Sequence, residues 1–231
     1  MFTHIAQRYE WFDHVASVGN DYLWRPRALW DLDRFRGDRP MRSALDLGCG
    51  TGELARLVTR RYPDARVVAA DFTSAMLAKA RATPGYPPDR LGFARATAMR
   101  LPFANGTFDL VTNAFLARNL VDLSAALSEM RRVLRPGGVL LTLEITEPVS
   151  PRFARIFHAY FDRFVPLLGA AAGSAGPYRY LPESLRTLPP RASFVGLLRS
   201  AGFPRVEAIP QSMGIVTTFL AAAGRDASQS R

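Results

Sequence analysis

Ala44-Leu45-Asp46-Leu47-Gly48-Cys49-Gly50-Thr51-Gly52 decides the fold of this chain: an apolar run ends there in a glycine-dense turn and passes at once into the helix-like Glu53-Leu54-Ala55-Arg56-Leu57-Val58. The apolar residues read as a buried parallel strand. The glycines stand where a Cβ would keep a ligand away from the backbone, and the unpaired N–H groups of the following helix face that ligand. The spacing is G-x-G-x-G rather than the G-x-G-x-x-G of a dinucleotide pyrophosphate site, and the acidic Asp46 lies within the strand end. Both features argue against NAD.

The stretch Arg66-Val67-Val68-Ala69-Ala70-Asp71 is a second apolar strand that ends in a carboxylate about twenty residues further on, where such folds bind ribose hydroxyls. A glycine-rich turn alone ordinarily means a tight strand–helix connection. With Asp71 in place it means a ligand as well. The pair resembles the cofactor site of class I S-adenosylmethionine-dependent methyltransferases, which implies that the methionyl carboxylate and the ribose lie along this turn.

At 231 residues and 48% hydrophobic, the chain has the length of one α/β domain with an added cap. No apolar run reaches the roughly 18 residues of a membrane span, and Met1-Phe2-Thr3-His4 lacks the regions of a signal peptide, so a cytoplasmic protein is expected. The single cysteine, Cys49, forms no internal disulfide and no cysteine-based zinc cluster; inside the glycine turn it reads as a small packing residue. The net charge of +10 invites a nucleic-acid or anionic-membrane reading. Among the 30 basic residues only Lys79 is lysine, however, and the arginines are scattered, as on a solvated surface. Weak attraction to acidic lipid heads is retained and nucleic acid is not expected.

The chain opens with about 40 residues of helical character. Ser17-Val18-Gly19-Asn20-Asp21 reads as a turn, and Pro26 as the opening of a helix through Leu29, Trp30, Leu32 and Phe35. These residues either pack as core or form a lid that excludes water from a sulfonium and a nucleophile. Ser74 is expected to cap a helix through Arg81. Leu91 to Ala96 is a short strand delivering Thr97 and Ala98 to the edge that holds Asp71, and Leu110 to Phe115 is the next strand. A helix from about Asp122 to Leu134 stops at Pro136-Gly137-Gly138, and Val139 to Ile145 is strand five. This rhythm predicts an α/β, Rossmann-like architecture: a seven-stranded, mostly parallel sheet with helices on both faces. The expected division is one domain over 1–221, with a helical lid (1–40), a cofactor-binding core (41–150), a substrate-side helical insert after strand five (151–190) and a final helix and strands (191–221). A disordered tail (222–231) follows.

Further pieces carry a closer resemblance. Leu101-Pro102-Phe103, Phe108-Asp109, Arg118-Asn119 and Arg132-Val133-Leu134-Arg135-Pro136-Gly137-Gly138, with Leu143-Glu144, look like the UbiE/MenG/Coq5 family of ubiquinone and menaquinone biosynthesis C-methyltransferases. The proline-glycine-glycine piece is widespread among methyltransferases; Arg118-Asn119 is more particular. The likeness extends to Tyr9, Ser17, Gly19, Trp24 and Arg25 and to Tyr178 through Ser184, and covers roughly residues 2 to 218. It implies S-adenosylmethionine as cofactor, held by Tyr9, Arg25, Asp46, Gly48, Cys49, Gly50, Thr51, Asp71, Phe72, Thr97, Ala98 and Ala114. It implies a hydrophobic aromatic acceptor, met by Asn119, Tyr178 and Tyr180, and no metal. A homodimer and peripheral contact with the inner face of a membrane are further expectations.

Methylating a ring carbon requires an ionised neighbouring hydroxyl, hence a base or a cation that steadies the phenolate. Arg118 stays protonated but can hold an oxyanion. His14 and His158 are imidazoles, and His14 is carried with Arg118 as a catalytic candidate; Glu144 is expected to orient Arg118. The chain departs from the family at several places: Thr97 replaces Asp or Asn, Ala114 replaces serine, Leu116 or Ala117 replaces glycine, Asp13 replaces asparagine, and the histidine common after Gly214 is missing. These changes keep open an O-methyltransferase or a specialised-metabolite methyltransferase. An RNA-binding protein or RNA methyltransferase is a third reading. Against it, there is no Asn/Asp-Pro-Pro-Tyr motif and no appended RNA-binding module.

Overall fold

The computed structural model describes residues 21–85, 87–159 and 187–224. Seven strands, β1 (Ser43–Leu47), β2 (Arg66–Asp71), β3 (Leu91–Arg95), β4 (Phe108–Ala114), β5 (Leu134–Ile145), β6 (Arg205–Gln211) and β7 (Val216–Ala222), form one sheet in the order β3-β2-β1-β4-β5-β7-β6. Strands β1 to β5 pair in parallel, and β7 runs antiparallel between β5 and β6. The expected sheet is therefore present.

Successive residues of each strand serve opposite faces, which is why the strands read as nearly continuous apolar runs. Ala44, Val67, Leu110 and Leu141 face one core, packed by Leu29, Leu32 and Phe35 of α1 (Asp21–Arg36) and Leu54 and Val58 of α2 (Glu53–Arg61). Leu45, Val111 and Leu140 face the other, packed by Leu127 and Met130 of α4 (Leu123–Val133) and Phe194 and Leu198 of α6 (Arg191–Ser200). Helices α3 (Ser74–Ala82) and α5 (Pro151–Ala159) and two 3-10 turns, Ala117–Asn119 and Ser212–Gly214, complete the described elements.

Four local expectations are corrected. Pro26 opens no helix but lies inside α1, where its missing N–H removes one backbone bond. Trp30 is not on the apolar stripe: it is 44% exposed, with the guanidinium groups of Arg27 and Arg34 at 4.4 and 4.7 Å from its ring centroid. Thr73, not Ser74, is the N-cap of α3, and its backbone N–H donates to Asp71 Oδ1 at 2.8 Å. Helix α4 ends at Val133, and Pro136-Gly137-Gly138 lies within β5 as an irregularity in its pairing with β4, with Gly137 at φ +75°. At the end of the sheet, β7 includes Ala222, and Ala223 N–H donates to Gly138 O at 2.8 Å, so regular pairing passes the expected domain end.

Candidate active site

In this strand order β1 and β4 are neighbours whose following connections leave in opposite directions, and such a switch point opens a crevice beyond the strand ends. A cavity of about 500 Å3 lies there. Arg25, Asp46, Gly48, Cys49, Gly50, Thr51, Asp71, Phe72, Thr97, Ala98, Ala114 and Asn119, all expected site residues, line it together. Tyr9, His14, Tyr178 and Tyr180 lie outside the described residues, as does the side chain of His158.

The glycine turn takes its shape from backbone that other residues adopt poorly: Gly48 and Gly50 have φ of +67° and +54°. A Cβ on Gly48 would come within 2.8 Å of Leu116 Cδ1, whereas one on Gly50 would meet no protein atom within 4 Å. The turn is tied to β2 twice, by Cys49 N–H on Ala70 O at 3.0 Å and by Gly50 N–H on Asp71 Oδ2 at 3.0 Å. Asp71 thus enters the site already positioned by backbone donors, with lone pairs remaining on both oxygens.

Asp46 is 2% exposed. Its Oδ1 accepts from Thr112 Oγ1 at 2.8 Å, and its Oδ2 has no partner among the described residues. Burial pushes the carboxyl up to about 7, against the pull of the Thr112 hydroxyl and the Ala55 backbone. Burial likewise pushes the Cys49 thiol up, with Asp46 and Asp71 adding to the rise, so little thiolate exists near neutrality and the packing role fits.

At the other end of the glycine turn, Arg25 of α1 pairs with Glu53 of α2 at 3.0 Å and lies 5.5 Å from the ring centroid of Phe115. Phe72, 67% exposed, lines the cavity together with Thr97 and Met99. The Thr97 hydroxyl reaches only Met99 Sδ, at 3.9 Å, leaving it available to a ligand among the described contacts.

Arg118 does not line the cavity. Its side chain is 3% exposed, and Nη1 lies 3.1 Å from Oε2 of the fully buried Glu144. A guanidinium shut away from water needs a counter-charge, and Glu144 supplies it from the end of β5. Arg118 and Glu144 are thus paired, and Arg118 is not among the residues that line the cavity. Burial pushes the Glu144 carboxyl up, and the charge of Arg118 opposes that rise. Asn119 faces the cavity and donates its amide to Phe115 O at 3.1 Å.

Phe115, Leu116, Glu53 and Met99 also line the cavity and were not anticipated. Phe115 has φ +59°, a left-handed backbone that no side-chain pattern announces in a phenylalanine. The one available hint was Leu116 near a position where the resembling family has glycine.

Compared with known proteins, the chain matches the ubiE/COQ5 methyltransferase family over residues 1–223. It is 42% identical over 204 residues to a demethylmenaquinone methyltransferase of Thermus thermophilus, which takes in 88% of this chain and 91% of that protein. A ubiquinone/menaquinone biosynthesis C-methyltransferase UbiE of Geobacter sulfurreducens is 37% identical over 222 residues, 95% of this chain and 85% of the relative. Among solved structures, a SAM-dependent methyltransferase of Aquifex aeolicus has a TM-score of 0.60 at 15% identity, covering 83% of this chain and 87% of that one. That likeness is one of fold.

Proposed function

We infer the reaction from one premise: the chain belongs to the ubiE/COQ5 methyltransferase family and is a methyltransferase. The reading is that it transfers the methyl group of S-adenosylmethionine to a ring carbon of a prenylated hydroquinone of the demethylmenaquinol type. The named activities of the Thermus and Geobacter relatives support the acceptor class. The observation that carries the cofactor is Asp46 Oδ2, a buried acceptor with no partner among the described residues, on a residue that lines the cavity. The methionyl ammonium is a cation with hydrogen-bond donors, which is what such an oxygen lacks. Gly50, which lines the same cavity, offers bare backbone with room for a ligand.

In this reading Asp71 accepts from the ribose hydroxyls, Phe72 and Ala98 flank the adenine, and the Thr97 hydroxyl meets its edge. Gly48, Cys49, Thr51 and Ala114 form the wall along the methionyl part, and Tyr9 and Arg25 close it from the lid. Bound S-adenosylmethionine supplies an electrophilic methyl on a sulfonium. The protein then has to hold an acceptor carbon in line and keep water out. Asn119, Tyr178 and Tyr180 serve the acceptor, and His14 is the candidate base. Arg118 stays on the acceptor side as a positioning residue, its guanidinium 5.4 Å from the Phe115 ring. Residues 1–40 act as the lid and 151–190 as the acceptor-side insert.

An apolar acceptor with an isoprenoid tail lives in a bilayer, and no helix among the described residues is long and apolar enough to cross one. Peripheral contact from the cytoplasmic face fits the exposed Tyr22, Leu23 and Trp30 of α1, with Arg27 and Arg34 packed on Trp30. A homodimer is part of the same reading. The test is mass spectrometry of the quinone pool in cells with the gene deleted and restored: the expected result is a quinone one methyl group short in the deletion, recovered on complementation. An unchanged pool contradicts the assignment.

A further inference from the structure

Strand β4 presents its residues alternately to the two sides of the sheet: Thr112 bonds Asp46 in one direction, and Asn113 reaches Thr142 and Met130 in the other. Beyond Asn113 that alternation breaks: Ala114 and Phe115, successive residues, pack against the same core, and Ala114, Phe115 and Leu116 all line the cavity. The break is made at Phe115, whose φ of +59° turns the chain out of the extended form. Strain of this kind persists only where the surroundings over-determine it. Here Phe115 N–H donates to Leu143 O at 2.8 Å, Phe115 O accepts from Asn119, and the ring has Arg25 and Arg118 at 5.5 and 5.4 Å and Trp24 edge-on at 6.2 Å. What the turn delivers is the Leu116 side chain, laid on the bare Cα of Gly48 so closely that a Cβ there would lie 2.8 Å from Leu116 Cδ1.

We propose that Leu116 sets the size of the acceptor ring that the cavity admits, and that the strained backbone of Phe115 is the device that presents it. This rests on the acceptor reading above. Leu116 lies against Gly48 of the glycine turn, where the cofactor is expected, its carbonyl accepts from the N–H of Asn119 at 2.9 Å, and all three line the cavity, so in this proposal its isobutyl group takes volume from the place where the two reactants meet. A hydrophobic wall discriminates by volume, and removing methyl and methylene groups from one changes selectivity by roughly 10- to 200-fold.

The test compares purified wild type, Leu116→Ala and Leu116→Met on two short-tailed 2-prenyl hydroquinones that share C3 as the reacting carbon, one a bicyclic 1,4-naphthohydroquinone and one a tricyclic 1,4-anthrahydroquinone. The expected result is a rise of about tenfold or more in the tricyclic-to-bicyclic ratio of kcat/KM for Leu116→Ala, with Leu116→Met close to wild type and S-adenosylhomocysteine affinity within about twofold. An unchanged ratio, or a loss of cofactor affinity with no gain for the larger ring, overturns the proposal. If wild type methylates neither hydroquinone, the acceptor reading fails by itself. Binding of 1-anthrol against 1-naphthol to the S-adenosylhomocysteine complex then decides Leu116 without turnover: a ratio raised in Leu116→Ala supports the proposal, and an equal ratio overturns it.

Discussion

Asp71 Oδ2 accepts a hydrogen bond from the backbone N–H of Gly50 at 3.0 Å, so the carboxylate that ends β2 also pins the glycine turn that follows β1. One side chain therefore shapes the turn and presents an acceptor to whatever binds there. Asp71→Ala is expected to weaken S-adenosylmethionine and S-adenosylhomocysteine together by roughly 1.5–3 kcal/mol, the range for a hydrogen bond to a charged acceptor. NAD should not compete with either. Titration calorimetry checks both statements, and unchanged affinity in Asp71→Ala removes this residue from the site.

Asp46 predicts a pH dependence with a definite sign. In the folded, unliganded protein its carboxyl titrates at about 7, against 3.8 for the ordinary group. Between those values the folded state holds a proton that the unfolded chain has lost, so this group makes stability fall as pH rises from about 4 to about 7 and leaves it level above. An ammonium at Asp46 favours the ionised form, so cofactor affinity should rise through the same window and level off above about pH 7, with a proton released on binding. Asp46→Asn should flatten both profiles. A wild-type affinity that does not change between pH 5.5 and 8.5 contradicts the pairing.

The first halves of the fold and site were legible because they are local. Arg66 to Asp71 declares a buried strand and its terminal carboxylate within six residues, and Gly48 to Gly52 declares the turn. Arg118 was legible as a residue of note but not in its orientation, since its counter-charge, Glu144, is on the next strand and both are buried. Whether a side chain points into a cavity or behind its wall is decided by such tertiary pairing. Phe115 escaped for a different reason: its left-handed backbone is imposed by Leu143, Asn119 and the stacked guanidinium groups, none of which is a property of phenylalanine. The apolar periodicity carries a helix to Leu134, yet Leu134 is the first residue of β5, because pairing with Phe108 outweighs helix propensity at that point.

Removing Arg118 alone should damage stability before it informs on catalysis. Arg118→Leu leaves the Glu144 carboxylate buried without its counter-charge, and losing one partner of a buried pair costs about 3–5 kcal/mol. The double variant Arg118→Leu, Glu144→Leu should recover most of that loss in chemical denaturation. In the double variant, a positioning role appears as a fall in kcat and kcat/KM together with cofactor affinity retained. Arg118→Lys should rescue only in part, because a point charge does not reproduce the planar fork. A double variant with wild-type kinetics assigns the pair to stability alone.

The site also predicts which element guards it. Arg25 reaches from α1 to Glu53 at 3.0 Å, and Trp24 Nε1 of the same helix donates to Ser212 Oγ at 2.8 Å. Arg25→Ala should raise the Kd for S-adenosylhomocysteine and speed its release while shifting stability little, since a part-exposed pair contributes about 1 kcal/mol or less. Stopped-flow measurement of release checks this, and an unchanged off-rate takes Arg25 out of the closing machinery.

The most direct measurement supplies the purified protein with S-adenosylmethionine carrying a 13C methyl group and a short-tailed, ring-demethylated naphthohydroquinone. Mass spectrometry and carbon NMR then read the product. The expected product has gained one labelled methyl on a ring carbon, with S-adenosylhomocysteine formed in equal amount. A label found on oxygen, or no transfer to the hydroquinone at all, contradicts the assignment of this chain as a C-methyltransferase of quinone rings.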